Sequence, residues 1–481
     1  MDDGKFVLTP AKRINKERGE IEMPKREVGL KGASAVILLI LATMVVGKLI
    51  LEFDTAILLM FVSIMTTAIY VFYYGFSWKE LFEEGTVPLA AKAMGAMIIL
   101  ITVGPLIAIW MISGTIPYLM YAGLKTLSPK IFLVAATIIC SIASLLTGTS
   151  WGTAATFGVA LMGVAYGLGV PLPAAAGAIV VGAYLGDKIS PVSDTTVLAA
   201  ALAEVDVLDH VKSMLYTTMP GYLISLIVYG LVGLKAGGNI DWSKVNVILQ
   251  ALEQNFNLSP ITLIPPILLL ILAYKKYPTI PVLWVAILAA IPIAMWQGYD
   301  IATIVKVMAK GPSINTGVEA VDKMLNRGGI SFMASAMAVV FFAYIFAGQL
   351  ERSGSISKII EYLQTKFIKG SVARLIFATS LTGILTGLGT GNSYLSEIMP
   401  ATMFRDLFDK MKIKRTVLSR TLEDSGTVVV PLIPWSAAGI YMTTVLGVPT
   451  IQYLPWAIMC YLGFITAWIY GYTGIAIWKE E

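Results

Sequence analysis

Residues 131–186 contain no Asp, Glu, Lys or Arg, and neither do residues 425–478. Runs of 56 and 54 uncharged residues are far longer than the roughly 20 apolar residues that carry a helix across a bilayer. Each must hold more than one crossing or a re-entrant piece. Seven shorter uncharged or nearly uncharged blocks qualify as single spans or exceed one: 55–78, 93–124, 213–234, 258–274, 277–299, 328–350 and 375–396. The pattern predicts an all-α polytopic membrane protein with about ten to twelve membrane elements.

Composition agrees. Of 481 residues, 57% are hydrophobic and 14% charged, and the mean hydropathy is +0.78; ordinary soluble domains carry about 25% charge. Lipid can solvate such a surface and water cannot. One His, His210, and two Cys, Cys140 and Cys460, exclude a disulfide framework, a Cys/His zinc site and a chain of imidazoles for moving protons. The net charge of +5 reads as loop orientation rather than nucleic-acid binding. No Walker pattern appears, which argues against direct ATP drive.

Residues 1–32 form a polar tail with eight Lys or Arg. The stretch is too long and too charged for a secretory signal. Its position before the first apolar run places the N-terminus in the cytoplasm, with the chain in the cytoplasmic (inner) membrane. Residues 235–257 are more polar and read as a linker. They divide the rest into a first membrane repeat, 33–234, and a second, 258–478.

The two halves share a pattern of breaks. In the first, an apolar helix runs into Thr147-Gly148-Thr149-Ser150-Trp151-Gly152-Thr153, and later comes Gly186-Asp187-Lys188-Ile189-Ser190-Pro191-Val192-Ser193-Asp194-Thr195-Thr196. In the second, an apolar helix runs into Thr386-Gly387-Leu388-Gly389-Thr390-Gly391-Asn392-Ser393, followed by Leu422-Glu423-Asp424-Ser425-Gly426-Thr427. Polar breaks at corresponding places of two halves are the sequence mark of a transporter binding site. The connection at 167–173 carries no Lys or Arg, whereas 405–420 carries six. That asymmetry predicts inverted repeats, with re-entrant hairpins and broken helices.

The charges beside the breaks carry the chemistry. An Asp or Lys at a helix centre costs about 2.5–3.5 kcal/mol on insertion scales and usually faces an interior cavity. Asp187, Lys188, Asp194, Glu423, Asp424 and Glu397 sit in such places. Asp54 and Glu351, at span boundaries, read as interfacial. Pro191 breaks the helix that would put Asp187 and Asp194 on one face, which frees carbonyls at membrane depth. With Ser190, Ser193, Thr195 and Thr196 these carbonyls and carboxylates form the oxygen-rich set that hard cations prefer. Sodium fits, and the pattern leaves lithium and potassium open. A carboxylate removed from water can also hold a proton. A site that takes a cation or a proton, but not both, performs exchange. His210 reads as an interfacial loop residue, leaving carboxylates as the proton carriers. Thr149, Ser150, Asn392 and Ser393 supply oxygens at the hairpin tips, with Asp424 completing the candidate site. Trp151 and Trp435 are candidate cavity walls. The aromatic clusters Tyr70–Trp78 and Tyr470–Trp478 read as interfacial belts.

Gly148-Thr149-Ser150-Trp151-Gly152 also matches the nucleophile elbow of hydrolases. Its apolar helical flanks and the distance to the lone His argue against an enzyme.

The segments quoted resemble those of NhaC-type sodium/proton antiporters. The resemblance rests on 186–196, on 148–153, and on Ser419-Arg420-Thr421-Leu422-Glu423-Asp424-Ser425-Gly426-Thr427 followed by Pro431-Leu432-Ile433-Pro434-Trp435, and covers about residues 30–478. It implies secondary exchange of sodium for protons without a cofactor, within the ion-transporter superfamily of two inverted repeats with re-entrant hairpins. Some relatives exchange organic acids, malate with protons inward and sodium with lactate outward. An anionic substrate would need positive charge from Lys188 or Arg420, with Glu423 beside them. A channel fits less well, because the carboxylates are asymmetric within one chain. The expected partners are sodium, protons, the lipid bilayer and, in the alternative, a small organic acid; a homo-oligomer is compatible with the chain.

Overall fold

The computed structural model describes residues 13–15, 20–22, 26–92, 94–236 and 242–480. Most of the polar tail at 1–32 and residues 237–241 of the linker lie outside the described residues. The helices include, in chain order, α1 (Leu30–Val45), α2 (Thr55–Ala68), α3 (Met94–Ile112), α4 (Thr115–Thr126), α5 (Pro129–Thr147), α6 (Val159–Gly167), α7 (Leu172–Ile189), α8 (Asp194–Leu202) and α9 (Val207–Ala236). They continue as α10 (Trp242–Asn255), α11 (Ile264–Tyr274), α12 (Thr279–Trp296), α13 (Ile330–Arg352), α14 (Val372–Thr390), α15 (Ser393–Lys410), α16 (Arg415–Ser425), α17 (Ala437–Leu446) and α18 (Ile458–Thr473). A three-residue strand pair, Arg13–Asn15 with Glu20–Glu22, is the only sheet among the described residues.

Among the described residues nine helices are long and apolar enough to cross a membrane. Three bent pairs, with bends of 93°, 47° and 58°, raise the number to as many as twelve. The count matches the expectation, and the long uncharged blocks resolve as predicted. The 56-residue block holds most of α5, a short helix Ser150–Thr153, a π-helical turn Ala154–Gly158, α6 and most of α7. The 54-residue block holds α17, α18 and the turns that bend them.

The chain forms two compact units. The smaller contains the residues up to Met94 together with Phe341–Lys366. Its interior is polar as well as apolar: the Thr66 hydroxyl donates to Gln349 Oε1 at 2.6 Å, and the hydroxyls of Tyr70 and Ser355 lie 2.7 Å apart. Here the belt assignment needs correction. Phe72, Tyr73 and Trp78 are exposed, but Tyr70, Tyr74 and Phe76 are buried in the unit's core. Asp54 caps α2, accepting from the N–H groups of Ala56 and Ile57, which is the interfacial role expected of it.

The larger unit, Gly95–Val340 with Phe367–Glu481, contains all the predicted breaks. Its central contact is α5 against α7. Small residues let the backbones approach, and hydroxyls bridge them: Ser144 donates to the Gly182 carbonyl at 2.8 Å and accepts from the Gly186 N–H at 3.0 Å. A side chain at Gly186 would begin 2.3 Å from the Ser144 carbonyl carbon.

The two hairpin tips have the same local construction. α5 ends at Thr147, Gly148 turns left-handed at φ 64°, and Thr149 caps the next helix, accepting from Gly152 N–H. α14 ends at Thr390, Gly391 turns at φ 62°, and Asn392 caps α15, accepting from Leu395 N–H. Glycine closes a helix in this conformation without the Cβ clash, and an oxygen-bearing cap starts the next. Gly148 packs against Val192 and Ser193, and Gly391 against Trp435 and Ser436. Ser193 and Ser436 are themselves the caps of α8 and α17. In both places a helix break therefore lies on a second helix break.

Gly186→Val should force α5 and α7 apart, costing ~1–3 kcal/mol as overpacking does. We expect a lower thermal unfolding midpoint in detergent than for Ile142→Ala, a change on the exposed side of α5.

Candidate ion-exchange site

α7 ends at Ile189 because Ser190 leaves the helical region and Pro191 follows. Asp187 lies in that last turn, 8% exposed. Its Oδ1 accepts the Ser150 N–H at 3.1 Å, and the Ser150 hydroxyl donates to Oδ2. The Ser193 hydroxyl stands 3.5 Å from Oδ1 and 3.1 Å from the Thr195 hydroxyl. Thr195 and Thr196 both donate to the Asp187 carbonyl, at 3.1 and 2.7 Å. Asp187, Ser150, Ser193, Thr195 and Thr196 thus come together.

Other predicted residues fall nearby with different partners. Asp194 begins α8, is exposed, and accepts the hydroxyl of Tyr394. This contact links the first acidic break to the tip at Asn392 and Ser393, since Tyr394 follows them in α15. Ser190 is buried and donates to the Leu145 carbonyl at 2.9 Å, closing the end of α5. Thr149 and Asn392 use side-chain oxygens as caps, and Ser393 is half-buried in the first turn of α15.

Asp424 is fully buried and paired with Lys188, Nζ to Oδ1 2.6 Å, both side chains with 0% exposure. Thr217 adds a hydroxyl to the same oxygen at 3.1 Å. Glu423, next in α16, has 0% exposure, and its carboxyl oxygens lack hydrogen-bond partners. Glu397 in α15 is equally buried, and its Oε1 accepts the Thr427 hydroxyl.

Two placements correct the sequence reading. Arg420 is counted among six loop cations, yet it is 1% exposed. Its Nη2 donates to the Ala476 carbonyl at 3.1 Å, and its guanidinium lies 5.3 Å from the Trp478 ring centre. Trp478 therefore covers a buried cation. His210 is not a loop residue: it lies in the first turn of α9 with 0% exposure, Nδ1 2.8 Å from the Ser419 hydroxyl. Its Nε2 points to Glu423 Oε2 at 3.9 Å. A signal for it exists in the sequence. His210, Ser213, Thr217, Thr218 and Ser225 recur at helical spacing and form one buried polar stripe of α9, with Gly221 on the same face. Tyr394 and Thr217 are the other residues of the site that motif reading misses, and Thr427 lies in a quoted break without being singled out.

The loop end is ion-paired. Glu204 bridges Arg405 and Arg415, and Arg415 pairs with Asp409 at 2.9 Å. Arg415 holds the Asp409 carboxyl below the usual carboxylate range.

Trp151 and Trp435 have different partners. Trp151 stacks on Tyr441, ring centres 4.3 Å apart, and Trp435 donates its indole N–H to the Leu388 carbonyl at 2.8 Å. Ser150 contacts Asp187, and the one His contacts Ser419, so no Ser–His pair forms around the elbow-like motif.

Many apolar helices, broken in places around a buried, acid-rich cluster, are the construction of a polytopic secondary transporter. The sequence model of the Na+/H+ antiporter family matches residues 14–212 and 182–475, and the chain belongs to that family. It is 41% identical over 409 residues to the malate-2H+/Na+-lactate antiporter of Bacillus subtilis, covering 85% of this chain and 87% of the relative. It is 38% identical over 422 residues to the Na+/H+ antiporter NhaC of Alkalihalophilus pseudofirmus, covering 87% and 90%. It is 36% identical over 440 residues to the arginine/ornithine antiporter ArcD of Halobacterium salinarum, covering 91% and 90%. These relatives are antiporters, not enzymes.

Lys188→Met leaves Asp424 buried without its counter-charge, which costs ~3–5 kcal/mol in comparable pairs. We expect a large fall in the detergent unfolding midpoint, with substantial recovery in Lys188→Met/Asp424→Asn.

Proposed function

We propose that the protein exchanges sodium for protons across the cytoplasmic membrane, the ion and the proton competing for buried carboxyls. One observation carries this reading. Asp187, Glu397, Glu423 and Asp424 are buried together, against Lys188, Arg420 and a single His. Four acids face two permanent cations. A buried negative charge without compensation is expensive, so the cluster has room for added positive charge. Sodium supplies it in one state and protons in the other.

The ion would sit at the first acidic break, where Asp187, Asp194, Ser193, Thr195 and Ser150 offer hard oxygens. Thr149, Ser190, Asn392 and Ser393 would shape the two tips, and Asp424 would respond through Lys188. Sodium is cargo in this scheme, and ion gradients replace any cofactor. The equivalent construction of the tips supports two repeats, 33–234 and 258–478, in inverted orientation. One repeat would rock against the other to alternate access. The basic face of residues 405–415 would lie in the cytoplasm, with the N-terminus.

Asp187→Asn and Asp194→Asn are expected to abolish sodium-evoked proton movement in everted vesicles while the protein still inserts. Normal activity in both would remove the first acidic break from the mechanism.

The relation to the malate/lactate antiporter favours a second reading, coupled organic-acid exchange. Arg420 fits an anion, because its Nε and Nη1 lack hydrogen-bond partners. Uptake of labelled malate or lactate into proteoliposomes under a sodium gradient distinguishes the two; its absence eliminates the second.

A further inference from the structure

The strongest feature outside the proposed sodium site is the short segment that follows α18, residues 474–480, where it lies over Arg420. Arg420 is 1% exposed. Its Nε and Nη1 have no hydrogen-bond partner, and its Nη2 donates to the Ala476 carbonyl at 3.1 Å. Buried donors normally find partners, and a guanidinium has five N–H bonds to satisfy. Asp424, one turn further along α16, is committed to Lys188 at 2.6 Å. The cation beneath the segment is therefore only partly satisfied.

The segment itself is lightly held. Gly474 ends α18 in the left-handed region at φ 79°, and Ala476 repeats that conformation at φ 53°, which residues with a side chain rarely adopt. Two backbone bonds tie the segment to the turn between α15 and α16. The Lys414 N–H donates to the Trp478 carbonyl at 2.9 Å, and the Glu480 N–H to the Lys412 carbonyl at 2.8 Å. The Trp478 ring completes the cover, its centre 5.3 Å from the guanidinium and edge-on to Tyr216 at 5.1 Å. Lys412, Lys414 and Lys479 lie along this seam and are exposed, so an anion is drawn to it. A short exposed seam with two backbone bonds is the kind of contact that opens locally.

A carboxylate holds arginine best through two parallel N–H bonds. The two possible forks pair Nη2 with Nε, or Nη2 with Nη1; Nε and Nη1 point to different sides and cannot share one carboxylate. Nη2 is the nitrogen that Ala476 holds. Both forks are thus half blocked by the segment and half unpaired. We propose that residues 474–480 form a latch on an anion site at Arg420, and that a small organic carboxylate opens it. One carboxylate oxygen replaces the Ala476 carbonyl at Nη2, the other pairs with Nε or Nη1, and Trp478 lifts from the guanidinium. The latch rests on the organic-acid reading. It adds the group that Arg420 recognises and the segment that the anion displaces.

Hydrogen–deuterium exchange of the full chain in detergent reads the seam, at constant ionic strength with malate, lactate or chloride. The amides of Lys414 and Glu480 are expected to exchange at least about threefold faster in saturating malate or lactate than in chloride, because both bonds open with the latch. Arg420→Lys keeps the charge and loses the fork, and its seam should ignore both acids. In Trp478→Ala the seam should exchange fast in chloride. Calorimetry on that variant should show malate or lactate bound at least about threefold more tightly than by wild type, since a closed state no longer competes. Binding of either acid to wild type without faster seam exchange overturns the latch. So does an equal response to chloride, a retained response in Arg420→Lys, or unchanged or weaker binding in Trp478→Ala. Absence of binding to both wild type and Trp478→Ala overturns the latch and the anion site together. Seam opening by malate without uptake of labelled malate into proteoliposomes supports the latch and removes malate as cargo, so the two readings fail separately.

Discussion

The pair of Lys188 and Asp424 is the contact on which the polar interior of the larger unit depends. Lys188 follows Asp187 at the end of α7, and Asp424 follows Glu423 near the end of α16. The pair therefore ties one acidic break to the other. A buried pair of this kind contributes little net stability, because desolvation offsets attraction, but losing either partner is severe. Such a contact sets a geometry more than it adds energy. With Lys188 committed to Asp424, Asp187 draws its hydrogen bonds from Ser150 and Ser193 instead.

This division gives neighbouring carboxyls different surroundings. Asp187 and Asp194 have hydroxyl and backbone donors. Asp424 has a fixed cation. Glu423 and Glu397 have neither a full set of donors nor a dedicated cation. A uniform cluster of acids would bind protons and sodium indiscriminately. Distinct surroundings separate the groups by what each can hold.

Much of this architecture was legible in the sequence where it depends on the backbone. Gly148, Gly391 and Pro191 break helices for local reasons, so the breaks and the span count could be read directly. The adjacency of Asp187 and Ser150 follows from Gly186 and Gly182 closing α7 onto α5. What stayed hidden depends on rotation about a helix axis. Arg420 and Arg415 look alike in a basic run, but five positions on a helix turn one to the interior and the other to the surface. Tyr70 and Tyr73 differ in the same way. His210 was obscured by charged neighbours, Asp209 and Lys212, which lie on the opposite side of the same turn. Periodicity across the whole of α9, rather than local polarity, identifies its face.

The relatives extend the point about division. Antiporters named for sodium and protons, for malate and lactate, and for arginine and ornithine all align with most of this chain. A scaffold that serves such different cargoes must keep the exchange principle apart from the cargo contacts. The shared principle can be a fixed deficit of positive charge at crossed helix breaks, which any suitable cation or proton can fill. Cargo size and charge can then be set by side chains around that deficit, such as Tyr394 on Asp194 and the half-satisfied Arg420 beneath Trp478. On this view a buried guanidinium whose Nε and Nη1 lack hydrogen-bond partners, as at Arg420, suits recognition of an anion, whereas the buried acids suit a cation.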